Sequence, residues 1–233
     1  MTAHSRPLLL GHRGARATKS LPENTLASFE LCLQHGCDGF EFDVRATADG
    51  NLVVCHDETF RGISVEETLG KALTDLQGQG FLPPLDEVLA RFSAKCFLDI
   101  ELKVPGLEVR VVELLKHYPP ACGFVVTSFL PQVLLRLREL DSSMELGFLF
   151  DESSCGSGAC SAEVLCRSLP VQSVLPEWHL LDKALVSDLH AAGKRVGTWT
   201  VNDAADMTRL TALAVEMIIS DETERLVNTF RVS

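Results

Sequence analysis

At 233 residues, 46% apolar and 23% charged, the chain has the length and composition of one soluble globular domain, or at most two small ones. Its 32 acidic against 21 basic residues give a net charge of −11, which argues against a nucleic-acid or anionic-membrane partner while leaving room for a local basic pocket that holds a phosphate. No apolar run approaches the roughly 20 residues that span a bilayer, and the three leucines at 8–10 are too short for the apolar core of a signal peptide. The expectation is a cytoplasmic protein without stable membrane insertion.

In chain order, strand-like segments fall at 8–13, 39–46, 52–56, 96–103, 123–128, 145–150, 172–177, 195–201 and 216–220. Helical periodicity falls between them, near 25–36, 85–92, 106–117, 131–140, 161–168, 182–192, 203–213 and 222–230. The segment 52–56 returns from 39–46 through the turn Asp49-Gly50-Asn51 and reads as the second arm of a hairpin. Without it, eight strand–helix units remain, and their short loops fit a closed (β/α)8 TIM barrel better than an open doubly wound sheet.

Local signals support these boundaries. Asn24 is placed to cap a helix beginning at Thr25, Gly193 to stop the helix before it, and Pro84 and Pro131 to open helices. The stretch 58–84 is the least regular, a loop-rich insertion that reads as a small lid or as mere connection. Of the 8 cysteines, Cys32, Cys37, Cys55, Cys96, Cys122 and Cys166 sit in apolar patterns and read as buried free thiols. Cys155 and Cys160 lie in the loop CGSGAC, and with no Cys-x-x-Cys pair a zinc site is not expected.

The chemistry concentrates where a barrel of this kind builds its site, at the carboxyl ends of the strands. In GFEFDVRATADGNLVVCHD (39–57), Glu41 and Asp43 are two apart on one strand and share a face, while Phe40, Phe42 and Val44 take the other. In FLDIELK (97–103), Asp99, Glu101 and Lys103 share a phase. One carboxylate alone would read as a rim salt bridge. Glu41, Asp43 and Glu101 together supply hard oxygen ligands for Mg2+ or Ca2+, with Asp99 deeper and given to packing or hydrogen bonding.

His12 ends the first strand and His56 the hairpin, so their rings could face one another as an acid–base pair; either alone would more commonly be a histidine bonded to backbone. Arg13 and Lys103 add donors suited to a phosphate ester. Trp199, and less pointedly Phe129, are placed to wall the pocket rather than only fill the barrel mouth. His4, His35, His117 and His190 read as surface or helical residues, and His179 as a loop end.

The blocks GHRG (11–14), PENTLASF (22–29), the 39–57 stretch, LPPLDEVL (82–89), LDIELK (98–103), TWTVN (198–202) and VEMIISD (215–221) resemble the glycerophosphodiester phosphodiesterases of the phospholipase-C-like phosphodiesterase superfamily. The resemblance spans nearly the whole chain and implies a single TIM-barrel domain over 1–233. It implies Glu41, Asp43 and Glu101 as divalent-metal ligands, His12 and His56 as the acid–base pair, and Arg13 and Lys103 as phosphate contacts. The implied reaction cleaves a small-molecule glycerophosphodiester to glycerol 3-phosphate and an alcohol, through attack by the substrate's own glycerol hydroxyl and a cyclic phosphate.

The pattern departs from the family after Asp57, where ETFRGISVEETLGKALTDL is shorter than in many relatives and Arg61 stands as a remnant of their turn. Two alternatives stay open at this level: a lysophospholipase D acting on lysophospholipids, and a non-catalytic barrel that binds phosphate ligands. The head alcohol, the choice between Mg2+ and Ca2+ and the oligomeric state are not legible in the sequence.

Overall fold

The computed structural model describes residues 6–77, 82–153 and 168–231. In chain order its strands are β1 (Leu8–His12), β2 (Gly39–Ala46), β3 (Leu52–Val54), β4 (Thr59–Phe60), β5 (Ile63–Ser64), β6 (Phe97–Leu102), β7 (Phe124–Ser128), β8 (Leu146–Phe150), β9 (Ser173–Pro176), β10 (Arg195–Thr198) and β11 (Met217–Ser220). The helices are α1 (Leu26–His35), α2 (Gly70–Gln77), α3 (Leu85–Phe92), α4 (Glu108–His117), α5 (Pro131–Leu140), α6 (Lys183–Ala191), α7 (Ala204–Ala212) and α8 (Thr223–Phe230). Eight parallel strands close into a barrel because β1 pairs with both β2 and β11, and β3 adds antiparallel to β2. None of the described helices is long and apolar enough to cross a membrane.

The barrel follows from strand alternation. Along β2, Phe40 and Phe42 turn outward, where Phe40 stacks on Phe29 of α1 at 4.1 Å and meets Phe92 of α3 edge-on at 5.1 Å. All four phenylalanines are buried, so the outward face of β2 is locked against two helices and its other face must point into the barrel. Inside, Leu10, Val125, Leu149, Leu175, Met217 and Ile219 form a second, smaller core. Gly39 lets β2 come close to β6: a Cβ there would lie 1.9 Å from the carbonyl oxygen of Phe97.

Several expectations need correction. Thr25 caps α1 and accepts from the Ser28 amide, whereas Asn24 is left-handed at φ 57 and donates its side-chain amide to Asp43 Oδ2 at 2.8 Å. A buried carboxylate that must be satisfied outcompetes the cap for this side chain. The loop-rich 58–84 insertion also carries the β4–β5 hairpin and α2. The strand expected to run to 201 ends at Thr198, and Trp178–Leu180 forms a 3-10 turn. Cys32, Cys37, Cys55 and Cys96 are buried free thiols, but Cys122 is exposed because it lies in the turn before β7. The helix expected at 161–168 (but for Ser168), Cys155, Cys160, Cys166 and His4 lie outside the described residues.

Because Phe40 sits in a closed aromatic cluster, Phe40→Ala should destabilise the fold by about 3–5 kcal/mol. Urea unfolding followed by circular dichroism measures this, and a loss below about 1 kcal/mol would contradict the packing role.

Candidate active site

The register of the barrel brings the charged residues together. Across β2 and β6, Asp43 stands beside Glu101 and Glu41 beside Asp99, while His12 on β1 stands beside Glu41. One oxygen from each of Glu41, Asp43 and Glu101 lies within 4.8 Å of the others. All three residues are buried, and neither Glu41 Oε1 nor Asp43 Oδ1 accepts a hydrogen bond. Buried carboxylate oxygens gathered this closely fit a hard divalent cation such as Mg2+ or Ca2+.

The electrostatics agree. Burial, then the charges of Asp43, Glu101 and Asp99, push the Glu41 carboxyl well above its ordinary range. Burial and the Asp43 charge push Glu101 up to about 7, although Lys103 Nζ lies 2.7 Å away. Burial also raises Asp99 to about 7, although it accepts from the Thr127 hydroxyl at 2.7 Å. For Asp43, burial is outweighed by Lys103 at 3.4 Å and Arg13 at 3.3 Å, and the group stays below the usual carboxylate range.

Both histidines reach a cavity of about 370 Å³, also lined by Arg13, Glu41, Glu101, Lys103, Phe129, Asp151 and Trp199. His12 Nδ1 contacts Asp221 Oδ1 at 2.7 Å, while its Nε2 lies 3.9 Å from Glu41. His56 Nδ1 contacts Asp57 Oδ1 at 2.7 Å, and burial holds its imidazole below the ordinary value despite nearby Asp43. In each ring one nitrogen is held by a carboxylate, leaving the other for chemistry. All nine residues singled out in the sequence gather here, although Asp43 lies behind the cavity wall rather than on it.

Sequence reasoning missed the residues that hold these groups. Burial alone would raise the Asp221 carboxyl, yet bonds from His12, Asn202 Nδ2 at 2.8 Å and Arg16 drive it far below the usual range. Arg13 adopts the left-handed φ of 53, its amide donates to Glu41 Oε2 at 3.0 Å, and its guanidinium meets Glu23 at 2.8 Å. Such strain in a non-glycine residue is characteristic of functional sites. Arg45 donates through Nε to the His56 carbonyl at 2.9 Å and through Nη1 to Glu66 at 2.6 Å, tying the β2–β3 hairpin to the insertion. Asp221 follows an apolar strand at its carboxyl end, so the rule that found the other charges could have found it.

The sequence profile of the Glycerophosphoryl diester phosphodiesterase family matches residues 12–225. A glycerophosphodiester phosphodiesterase of Caldanaerobacter subterraneus subsp. tengcongensis is 29% identical over 97% of this chain and 98% of its own length. Among solved structures, a glycerophosphodiester phosphodiesterase of Thermotoga maritima superposes with a TM-score of 0.82 at 26% identity, covering 97% of this chain and 99% of that one. A phosphodiesterase of Oleispira antarctica, solved with the product sn-glycerol-3-phosphate, gives 0.81 at 26% identity over 96% of each chain.

Glu101 and Asp99, raised to about 7, keep protons in the metal-free fold that the unfolded chain has released by about pH 5. The folded state then binds more protons, so their contribution to stability falls as pH rises from about 4 to about 7. Melting in EDTA should show that decline between pH 5 and 7.5. Added Mg2+ or Ca2+ should raise the Tm more at the upper end, and a rise of Tm with pH in EDTA would refute the charge cluster.

Proposed function

Because the chain belongs to the glycerophosphoryl diester phosphodiesterase family, we propose that it hydrolyses glycerophosphodiesters to glycerol 3-phosphate and an alcohol, with His12 and His56 as the acid–base pair. Residues 1–233 act as one catalytic domain in this reading, with 58–84 as an insertion at its rim. The observation that carries it is the sharing of one cavity by both imidazoles, the carboxylate cluster and the cations Arg13 and Lys103.

Lys103 and Arg13 receive the phosphate and keep its charge beside the three carboxylates. Held by Glu41, Asp43 and Glu101, a divalent cation would supply charge neutralisation at the phosphoryl oxygens and a lower pKa for the attacking hydroxyl. His56, held below 6.5 by burial, is neutral at pH 7 and accepts the proton of the glycerol hydroxyl as it attacks phosphorus. His12, held at Nδ1 by the ionised Asp221, gives the proton to the departing alcohol. Water then opens the cyclic phosphate with the two roles exchanged, which returns both rings to their starting states.

An intact histidine pair beside an intact triad favours catalysis over mere ligand binding. His12→Ala and His56→Ala should each lower kcat by about 10² to 10⁴ with folding retained. Turnover of glycerophosphocholine with Mg2+ or Ca2+ checks this, and unchanged turnover in His12→Ala would remove the catalytic assignment. Hydrolysis of lysophosphatidylcholine alone would favour the lysophospholipase D reading instead. Because His56 must be neutral to act as base, the acidic limb of kcat/KM should fall below about pH 6.5.

Arg45→Met should lower kcat more than it raises KM, because Arg45 holds the His56 backbone without reaching the cavity. Equal effects on binding and turnover would indicate a general loss of structure.

A further inference from the structure

His12 is held by a carboxylate that is itself held, and the residue that grips it is not among those lining the cavity. Asp221 Oδ1 meets His12 Nδ1 at 2.7 Å, and Asp221 Oδ2 accepts from Asn202 Nδ2 at 2.8 Å. The ionised carboxylate has no proton to give, so Nδ1 carries the one in this contact and Nε2 is left toward the cavity.

The Asn202 amide is committed at both ends. Its Oδ1 accepts from the Asp221 backbone amide at 2.9 Å and from the Ser220 hydroxyl at 3.1 Å. Those two donors require the oxygen on their side, so only the NH2 group is left to face the carboxylate. One side chain thus grips Asp221 by its backbone and by its carboxylate together. Asn202 is itself pinned from three directions. The Val201 amide donates to the Ile219 carbonyl at 2.9 Å, Arg225 of α8 donates to the Asn202 carbonyl at 2.7 Å, and Asp203 caps α7 by accepting from the Ala205 amide at 2.8 Å. The contact at the other imidazole is built differently. The Asp57 side chain that meets His56 is 76% exposed, against 16% for Asp221, so water competes for it.

We infer that Asn202 is a positioning residue for the reaction: it aims the Asp221 carboxylate at His12 Nδ1 and so presents Nε2 to the substrate. The inference rests on the phosphodiesterase reading above and adds the residue on which the role of His12 depends. Because Asn202 works through Asp221 and His12 rather than on the substrate, its effect must vanish when the imidazole is removed.

A double-mutant cycle tests this. Asn202→Asp keeps the size of the side chain and its acceptor oxygen but replaces the donor facing Asp221 with a second carboxylate oxygen, which repels it. With Mg2+ and glycerophosphocholine, it should lower kcat by about tenfold to a hundredfold and leave KM within about twofold. In a His12→Ala background the same substitution should change kcat by less than about twofold. An unchanged kcat in Asn202→Asp, or an equal loss with and without His12, overturns the assignment; an equal loss is what a merely structural residue gives. Should Asn202→Asp not fold, Asn202→Ala removes the donor without adding a charge and goes through the same cycle. Should the wild type turn over no glycerophosphodiester, the phosphodiesterase reading fails, and proton NMR of nitrogen-labelled histidines in EDTA decides the positioning role. The slowly exchanging Nδ1 proton of His12, identified by its absence in His12→Ala, should be lost to solvent exchange in the Asn202 variant. A proton that persists there, or one already exchanging in the wild type, overturns it.

Discussion

The site rests on an imbalance of charge in a buried place. Inside the barrel, Glu41, Asp43, Asp99 and Glu101 face Arg13 and Lys103, an excess of two negative charges with every residue mostly shielded from water. Two carboxylates within 5 Å repel by about 3 kcal/mol even at an effective dielectric near 20. The fold relieves this by taking up protons, as the raised Glu41, Asp99 and Glu101 show, or by accepting one divalent cation. Either way the surrounding residues must hold like charges together, and that demand explains Asn24 leaving its cap, Arg13 turning left-handed and Lys103 bridging two acids.

What permits such a cluster is the opposite face of the same strand. Phe40 and Phe42 lock β2 against α1 and α3, so Glu41 and Asp43 cannot escape to solvent. A slip of one residue would bury the carboxylates among helices and turn the phenylalanines into the barrel. The aromatic contacts thus stabilise the fold and at the same time fix the direction of the acids. Polar interior groups in this barrel are placed by apolar packing a strand's thickness away.

That coupling sets what was legible in the sequence. Alternation on 39–46 and 97–103 gave the inward acids without any knowledge of their partners, because period two is a property of the strand itself. The positions of His12 and His56 followed from where strands end. Which atoms hold those rings did not, because Asp221 meets His12 from 209 residues away and Arg45 reaches the His56 carbonyl with a side chain that sequence gives no aim. Asn24 misled because its local role as a cap is the commoner one, and a buried carboxylate overrode it. The hairpin of the insertion was not legible for a local reason: its strands span two residues each, too short to show a period.

The dependence of His12 on Asp221 also ties chemistry to closure. β1 is the first strand and β11 the last, and their pairing from Leu8↔Met217 to Gly11↔Ser220 completes the ring. Until that pairing forms, His12 has no carboxylate at Nδ1, Asp221 has no imidazole, and the bond from Asn202 has nothing to orient. β2 can bring Glu41 and Asp43 beside Glu101 with only β6 in place, so the carboxylate half needs a quarter of the ring. The His12–Asp221 half needs all of it. A partly closed barrel would therefore gather charge without bringing His12 to its carboxylate, and the final strand pairing is the step that joins the imidazole to the carboxylate cluster.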